Sequence, residues 1–153
     1  MLDGISNKPG TYLLIFACEQ TSSITVGRLG PLKLASGYYF YVGSAFGPGG
    51  VRARVRHHHG VSTKPHWHLD YIRPSLILKE VWYSTDPVRY EHGWASLLGE
   101  TLHMRVPVVG LGASDCRCYS HFYYTHAMPG RSSILSELNK NNKRLNISIV
   151  ELL

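Results

Sequence analysis

Two tyrosines, an arginine and histidine one helical turn apart, and one glutamate are the side chains here whose types and spacing could do phosphate or hydrolytic chemistry. Gly10-Thr11-Tyr12 opens one predicted strand and Tyr41-Val42-Gly43 closes another. In an antiparallel sheet such positions can set two phenols near each other. A phenol can donate to a phosphate, orient a water, or serve as acid or base if its pKa falls. The plainer alternative is a pair of strand tyrosines with buried rings and surface hydroxyls. A helix predicted over 51–59 carries Val51, Val55 and His58 on one face. Arg54 and His58 are adjacent on it, and a guanidinium fork suits a phosphate that gains charge in a transition state. Arg52 and Arg56 form a separate basic stripe. A surface helix with no special role is again the alternative.

Asp86-Pro87 predicts the start of a second helix, with Asp as cap and Pro at the first helical position, running to about Leu102. Val88, Ala95, Leu98 and Leu102 make its core stripe, and Glu91 falls on that stripe. A carboxylate so placed must be paired, protonated or bound to a metal, because burying it alone is costly. Either it serves a metal or catalysis, or it is salt-bridged to an arginine, or the stripe ends before it. Further on, Cys116, Cys118 and His121 put two thiolates near an imidazole. That suits Zn²⁺, with His66 or His68 as a fourth ligand, although small buried cysteines are the competing reading. Residues 66–72 read as a short helix or a strand; on a strand His66 and His68 share a face and Trp67 points into the core. His57–His59 reads as a solvated helix end.

The elements that must position these residues come in the order strands, helix, strand, helix, strand. Residues 11–18, 23–28, 32–35 and 38–42 read as short strands, an antiparallel meander in the N-terminal third. Later strands are predicted at 76–84, 122–125 and 146–152, with a short helix at 132–142. The fold class expected is α+β: an α/β sandwich on a small, mostly antiparallel sheet flanked by helices. At 153 residues, with 44% hydrophobic and 17% charged residues, the chain reads as one domain over 1–153 and not as a disordered segment. Its net charge of +6 is compatible with a polyanionic partner. No apolar run is long enough to span a membrane, so no membrane partner is expected. Met1–Lys8 lacks a charged-then-apolar leader layout, and three cysteines are not a disulfide framework. A cytoplasmic protein is the expectation.

In order along residues 10–100, these features resemble the GIY-YIG nuclease family. Gly10-Thr11-Tyr12 stands where that family has its first motif and Tyr41-Val42-Gly43 where it has its second. Val51-Arg52-Ala53-Arg54-Val55-Arg56-His57-His58 is similar to the L-R-x-R-(V/I)-R-x-Y helix of its excision-repair members. The family's motifs usually stand closer together; here residues 13–40 hold an extra strand pair, and Gly47-Pro48-Gly49-Gly50 lengthens the next loop. With PHWHLDY at 65–71 and SDCRCYSH at 114–121, this looks like a branch of the family sometimes fused to base-excision glycosylases. The resemblance implies a metal-dependent DNA endonuclease. Glu91 would hold Mg²⁺ or Mn²⁺, Tyr12 or Tyr41 would position or deprotonate the attacking water, and Arg54 would neutralise the phosphoryl charge. His58 occupies a position often held by Tyr or His. Gly43, Ser44, Arg52, Arg56 and Lys64 would lie along the nucleic acid, and Asp115 or His121 could complete the cleft. The implied partners are branched or damaged DNA and a DNA-repair glycosylase. A non-catalytic nucleic-acid-binding module and a zinc-stabilised interaction domain are the other two readings.

Overall fold

The computed structural model describes residues 2–61, 63–65, 67–107, 120–139 and 145–152. His66, Asp115, Cys116 and Cys118 lie outside the described residues, and so does the thiolate half of the expected zinc site.

Strand β1 (Gly10–Cys18) is the continuous apolar run of the sequence, and it is the central strand. It pairs antiparallel with β4 (Gly37–Ala45) on one side and β5 (Ile77–Ser84) on the other. β6 (Phe122–Thr125) adds to β4, and β7 (Ser148–Glu151) adds to β5, giving the order β6-β4-β1-β5-β7. Because successive side chains point to opposite faces, β1 feeds two cores. Tyr12, Leu14 and Phe16 enter one, packed with α1 (Gly50–His59) and α2 (His68–Ile72). Leu13 and Ile15 enter the other, packed with α3 (Glu91–Ser96) and α4 (Arg131–Asn139). The fold is therefore the expected α/β sandwich: a five-stranded antiparallel sheet with helices on both faces. Among the described residues no helix is long and apolar enough to cross a membrane.

Two expectations need correction. The N-terminal meander does not form. β2 (Ser22–Val26) and β3 (Gly30–Leu34) pair only with each other as a separate two-stranded sheet. Both edges of β1 are already taken by β4 and β5, so no hydrogen-bonding edge is left for β2. The second correction concerns the helix expected from Asp86. Asp86 Oδ1 accepts from Val88 N at 2.9 Å, and Ser84 Oγ accepts from Asp86 N at 3.2 Å. These local bonds hold the backbone in a turn instead of a helix. α3 starts only at Glu91 and runs into a π-helical turn, Leu97–Thr101. Val88 is 56% exposed, so the core stripe begins at Trp94 and Glu91 is not on it. Glu91 is the first residue of its helix.

One end of the sheet gathers the motif residues. Tyr12 sits opposite Gly43, Thr11 opposite Ser84, and Tyr41 opposite Phe122. So β1 and β6 begin, and β4 and β5 end, at the same edge, and the loops leading to α1 and α3 leave from it. Gly10 is required there: a Cβ would run into the Ser84 carbonyl oxygen, a backbone atom that no rotamer change can move aside. Gly10→Ala should therefore lower stability by about 2 kcal/mol. The check is a lower urea midpoint at an unchanged denaturant slope.

Candidate active site

Tyr12 is 1% exposed, and its ring lies across Gly43 on the neighbouring strand. A Cβ at position 43 would strike the phenol oxygen and ring. This close approach is why the second motif ends in glycine. Tyr12 Oη and His58 Nε2 are hydrogen-bonded at 3.2 Å. The His58 ring also stands edge-on to Tyr41, with centroids 5.5 Å apart. One imidazole thus separates two phenols.

His58 is held from behind. Arg73 Nε donates to the His58 carbonyl at 2.6 Å and Arg73 Nη2 to the His59 carbonyl at 2.8 Å. An arginine satisfying the last carbonyls of a helix fixes its end. Beside it, His57 Nε2 and Asp70 Oδ1 are 2.8 Å apart, and Asp70 Oδ2 accepts from Trp67 N at 2.9 Å. The buried Asp70 carboxylate therefore ties the end of α1 to the start of α2. The Trp67 ring meets His57 edge-on, and the Arg54 guanidinium lies over it, 4.6 Å from the ring centre. Two expectations fail here. Only His59 of the histidine run is exposed, and Trp67 lies at the rim of the site, not in the core. Of the two readings of 66–72 the short helix forms, with Asp70 capping its start through Trp67 N, so Trp67 does not take the strand position that would send it inward. A groove of about 200 Å³ opens along this rim, lined by Ala45, Gly47, Pro48, Gly50, Arg54 and Trp67.

Glu91 reaches the site from the opposite face of the sheet. Thr11 Oγ1, fully buried, accepts from Tyr90 N at 3.2 Å, so the residue before Tyr12 in the chain anchors the residue before Glu91. The phenols respond electrostatically to residues from both faces of the sheet. Burial pushes the Tyr12 hydroxyl well above its ordinary pKa; Tyr41 and Glu91 add to the rise, and the charge and hydrogen bond of Arg54 oppose it. Burial and then Glu91 raise Tyr41 also, again against Arg54. Both phenols thus feel the opposed charges of Arg54 and Glu91. Neither phenol has the lowered pKa that a general base would need, so both hydroxyls carry their protons at neutral pH. His58 is pushed down to about 3, first by burial and then by His57, and is neutral.

The other predicted residues divide. Ser44 pairs opposite Thr11 at the same edge. Arg52 instead donates through Nε to the Ile5 carbonyl at 2.7 Å, and Arg56 through Nη2 to Asp3 Oδ1 at 3.3 Å. Both are committed to the N-terminal turn and not to the pocket. Lys64 is exposed on the segment between α1 and α2. His121, at the start of β6, comes to Glu91: its Nδ1 lies 3.7 Å from Glu91 Oε2. His92 Nε2 lies 3.8 Å from Glu91 Oε1. This carboxylate with two imidazoles fits a divalent cation. His121 is pushed down to about 4, by burial and then by His92, which leaves it neutral as a ligand must be. His57, His58 and Asp70 have comparable spacing; there His57 Nε2 and Asp70 Oδ1 already pair with each other, and the buried His58 Nδ1 has no hydrogen-bond partner among the described residues. Reading the sequence missed His92, Asp70 and the rim position of Trp67. His92 adjoins Glu91, and Asp70 and Trp67 fall within PHWHLDY; none of the three has a periodic pattern to mark it.

A family model described as "Domain of unknown function DUF123" matches residues 11–145. The match takes in every residue of the pocket. No curated protein and no solved structure matches the chain.

Two outcomes follow from the packing. Gly43→Ala should destabilise the protein by about 1–3 kcal/mol, and by less when Tyr12 is also replaced by leucine. A double-mutant cycle in urea measures that coupling. Because the folded pKa of His58 lies below its unfolded value, the unfolded chain binds more protons between about pH 6.5 and 3. Stability is then full above that window and falls as the pH drops through it. His58→Leu should flatten this slope, as followed by thermal melts in chelator from pH 7 to 4.

Proposed function

The chain belongs to the DUF123 family, and on that premise we propose that it is a metal-dependent endonuclease of the GIY-YIG type. It would hydrolyse phosphodiester bonds in DNA, in repair or processing. The observation that supports this reading is the sheet edge where His58 meets both Tyr12 and Tyr41, with the opposed charges of Arg54 and Glu91 acting on both phenols. The ordered motifs at 10–12, 41–43 and 51–58 support the same assignment.

Glu91, with His121 beside it, would hold a Mg²⁺ or Mn²⁺ ion, which would neutralise charge on the phosphate and on the departing oxygen. Arg54 would pair its N–H groups with the phosphoryl oxygens as their charge grows. Its position over Trp67 holds the guanidinium at the rim of the groove where a backbone would enter. In the tautomer protonated on Nδ1, His58 Nε2 accepts from Tyr12. That leaves the Tyr12 oxygen lone pair turned to the pocket, where it can accept from and aim an attacking water. Tyr41, protonated, would donate to a phosphate oxygen. His58 is on this account a positioning residue. The net charge of +6 supports a polyanionic substrate.

The test is cleavage of supercoiled and branched DNA with Mg²⁺ or Mn²⁺. Nicked or linear product is expected from the wild type. Glu91→Gln should lose activity on the order of 10³-fold, and Tyr12→Phe about 10²-fold, with both variants still folded by circular dichroism. Salt-sensitive DNA binding without any cleavage would overturn the hydrolase and leave a binding module.

A further inference from the structure

We propose that the metal site is a carboxylate–bis-imidazole centre made by Glu91, His92 and His121, and that it selects a first-row transition ion, Mn²⁺ included, over Mg²⁺. This rests on the reading above in placing a metal at Glu91, and goes beyond it in giving that metal nitrogen ligands and a preference.

The three side chains come from two segments that the fold brings together. Glu91 and His92 open α3. His121 precedes β6, where its carbonyl accepts from Val42 N at 3.0 Å. That bond, next to the Tyr41–Phe122 pairing, fixes His121 against the strand that carries the second motif. The His121 side chain is 2% exposed and that of Glu91 21%. The imidazole therefore has a set orientation while the carboxylate opens to the pocket. The two oxygens of Glu91 face one ring each, at 3.8 Å to His92 and 3.7 Å to His121. Neighbouring donors around an ion with bonds of about 2.1 Å stand about 3–3.5 Å apart. All three ligand atoms lie within 4.8 Å of one another, and the His92 ring stands edge-on to His121 with centroids 5.7 Å apart, so closing on one ion asks for side-chain shifts of about an ångström.

The preference follows from the donors. Mg²⁺ demands near-octahedral oxygen ligation and gives up water reluctantly. Imidazole suits first-row transition ions, whose affinity for nitrogen sites rises from Mn²⁺ onward, whereas Mg²⁺ gains little from nitrogen donors. Two rings beside one carboxylate would thus hold a transition ion, Mn²⁺ among them, in preference to Mg²⁺.

Titration of the purified, chelator-stripped protein with Mn²⁺ tests this directly, through the free-ion paramagnetic resonance signal and pulsed measurements of ¹⁴N coupling. The expected results are binding about tenfold tighter than Mg²⁺ in competition, ¹⁴N coupling from imidazole in the wild type, and loss of part of that coupling in His92→Ala. Because His121 is buried, His121→Asn is the second variant, and it should erase the Mn²⁺ advantage. Equal affinity for the two ions, absence of ¹⁴N coupling, or no Mn²⁺ binding overturns the centre. DNA cleavage without ¹⁴N coupling would sink this proposal and spare the nuclease. A ¹⁴N-coupled ion without cleavage would do the reverse.

Discussion

A phenol lying across a residue with no side chain is the constraint on which the pocket depends. The antiparallel register places Tyr12 opposite Gly43, and the ring occupies the space where any other residue would put its Cβ. From that position the hydroxyl reaches His58 on α1, and the preceding residue, Thr11, reaches Tyr90 at the start of α3. One pair of strand residues thereby ties together the two faces of the sheet. A shift of one residue in this register would send Tyr12 into the other core and release both helices from the edge.

The charges around the phenols are few and opposed. Burial alone would leave Tyr12, Tyr41 and His58 as inert neutral groups, and their raised and lowered pKa values reflect that. Arg54 and Glu91 supply the field. Each acts on both phenols, and in opposite directions. Two arginines that could add to the positive side are occupied with carbonyl oxygens: Arg73 at the end of α1 and Arg52 at Ile5. Arg54 thus acts on both phenols from the α1 side, and Glu91 opposes it from the start of α3.

Much of this was legible in the sequence because it is local. β1 and β4 announce themselves as β-branched and aromatic runs between glycines, and the spacing of Arg54 and His58 is a helical turn. The position of Glu91 was reached by a faulty route: Asp86 and Pro87 look like a helix start, yet Asp86 uses its side chain to close a turn. Glu91 meets the phenols because α3 begins at the sheet edge, not because it lies on a buried stripe. His121 and His92 could not be paired from sequence, since only β6 lying beside β4 brings them together. The fate of Trp67 depended on Asp70, whose backbone bond starts α2. A side chain that captures its own neighbours' amides overrides the alternation read from residue types.

The inserted hairpin has a structural role of its own. Val26, Leu32 and Leu34 are buried in the same core as α1 and α2, and β2 packs against α2. A Cβ on Gly27, whose φ is 47°, would stand 3.3 Å from the Tyr71 ring, one residue from Asp70. The β2–β3 pair is thus the buttress for the helix that holds Asp70, and through it His57 and the aromatic plate under Arg54. A homologue that had shed the buttress would have little to hold that acid in place, so the two features should be inherited or lost together.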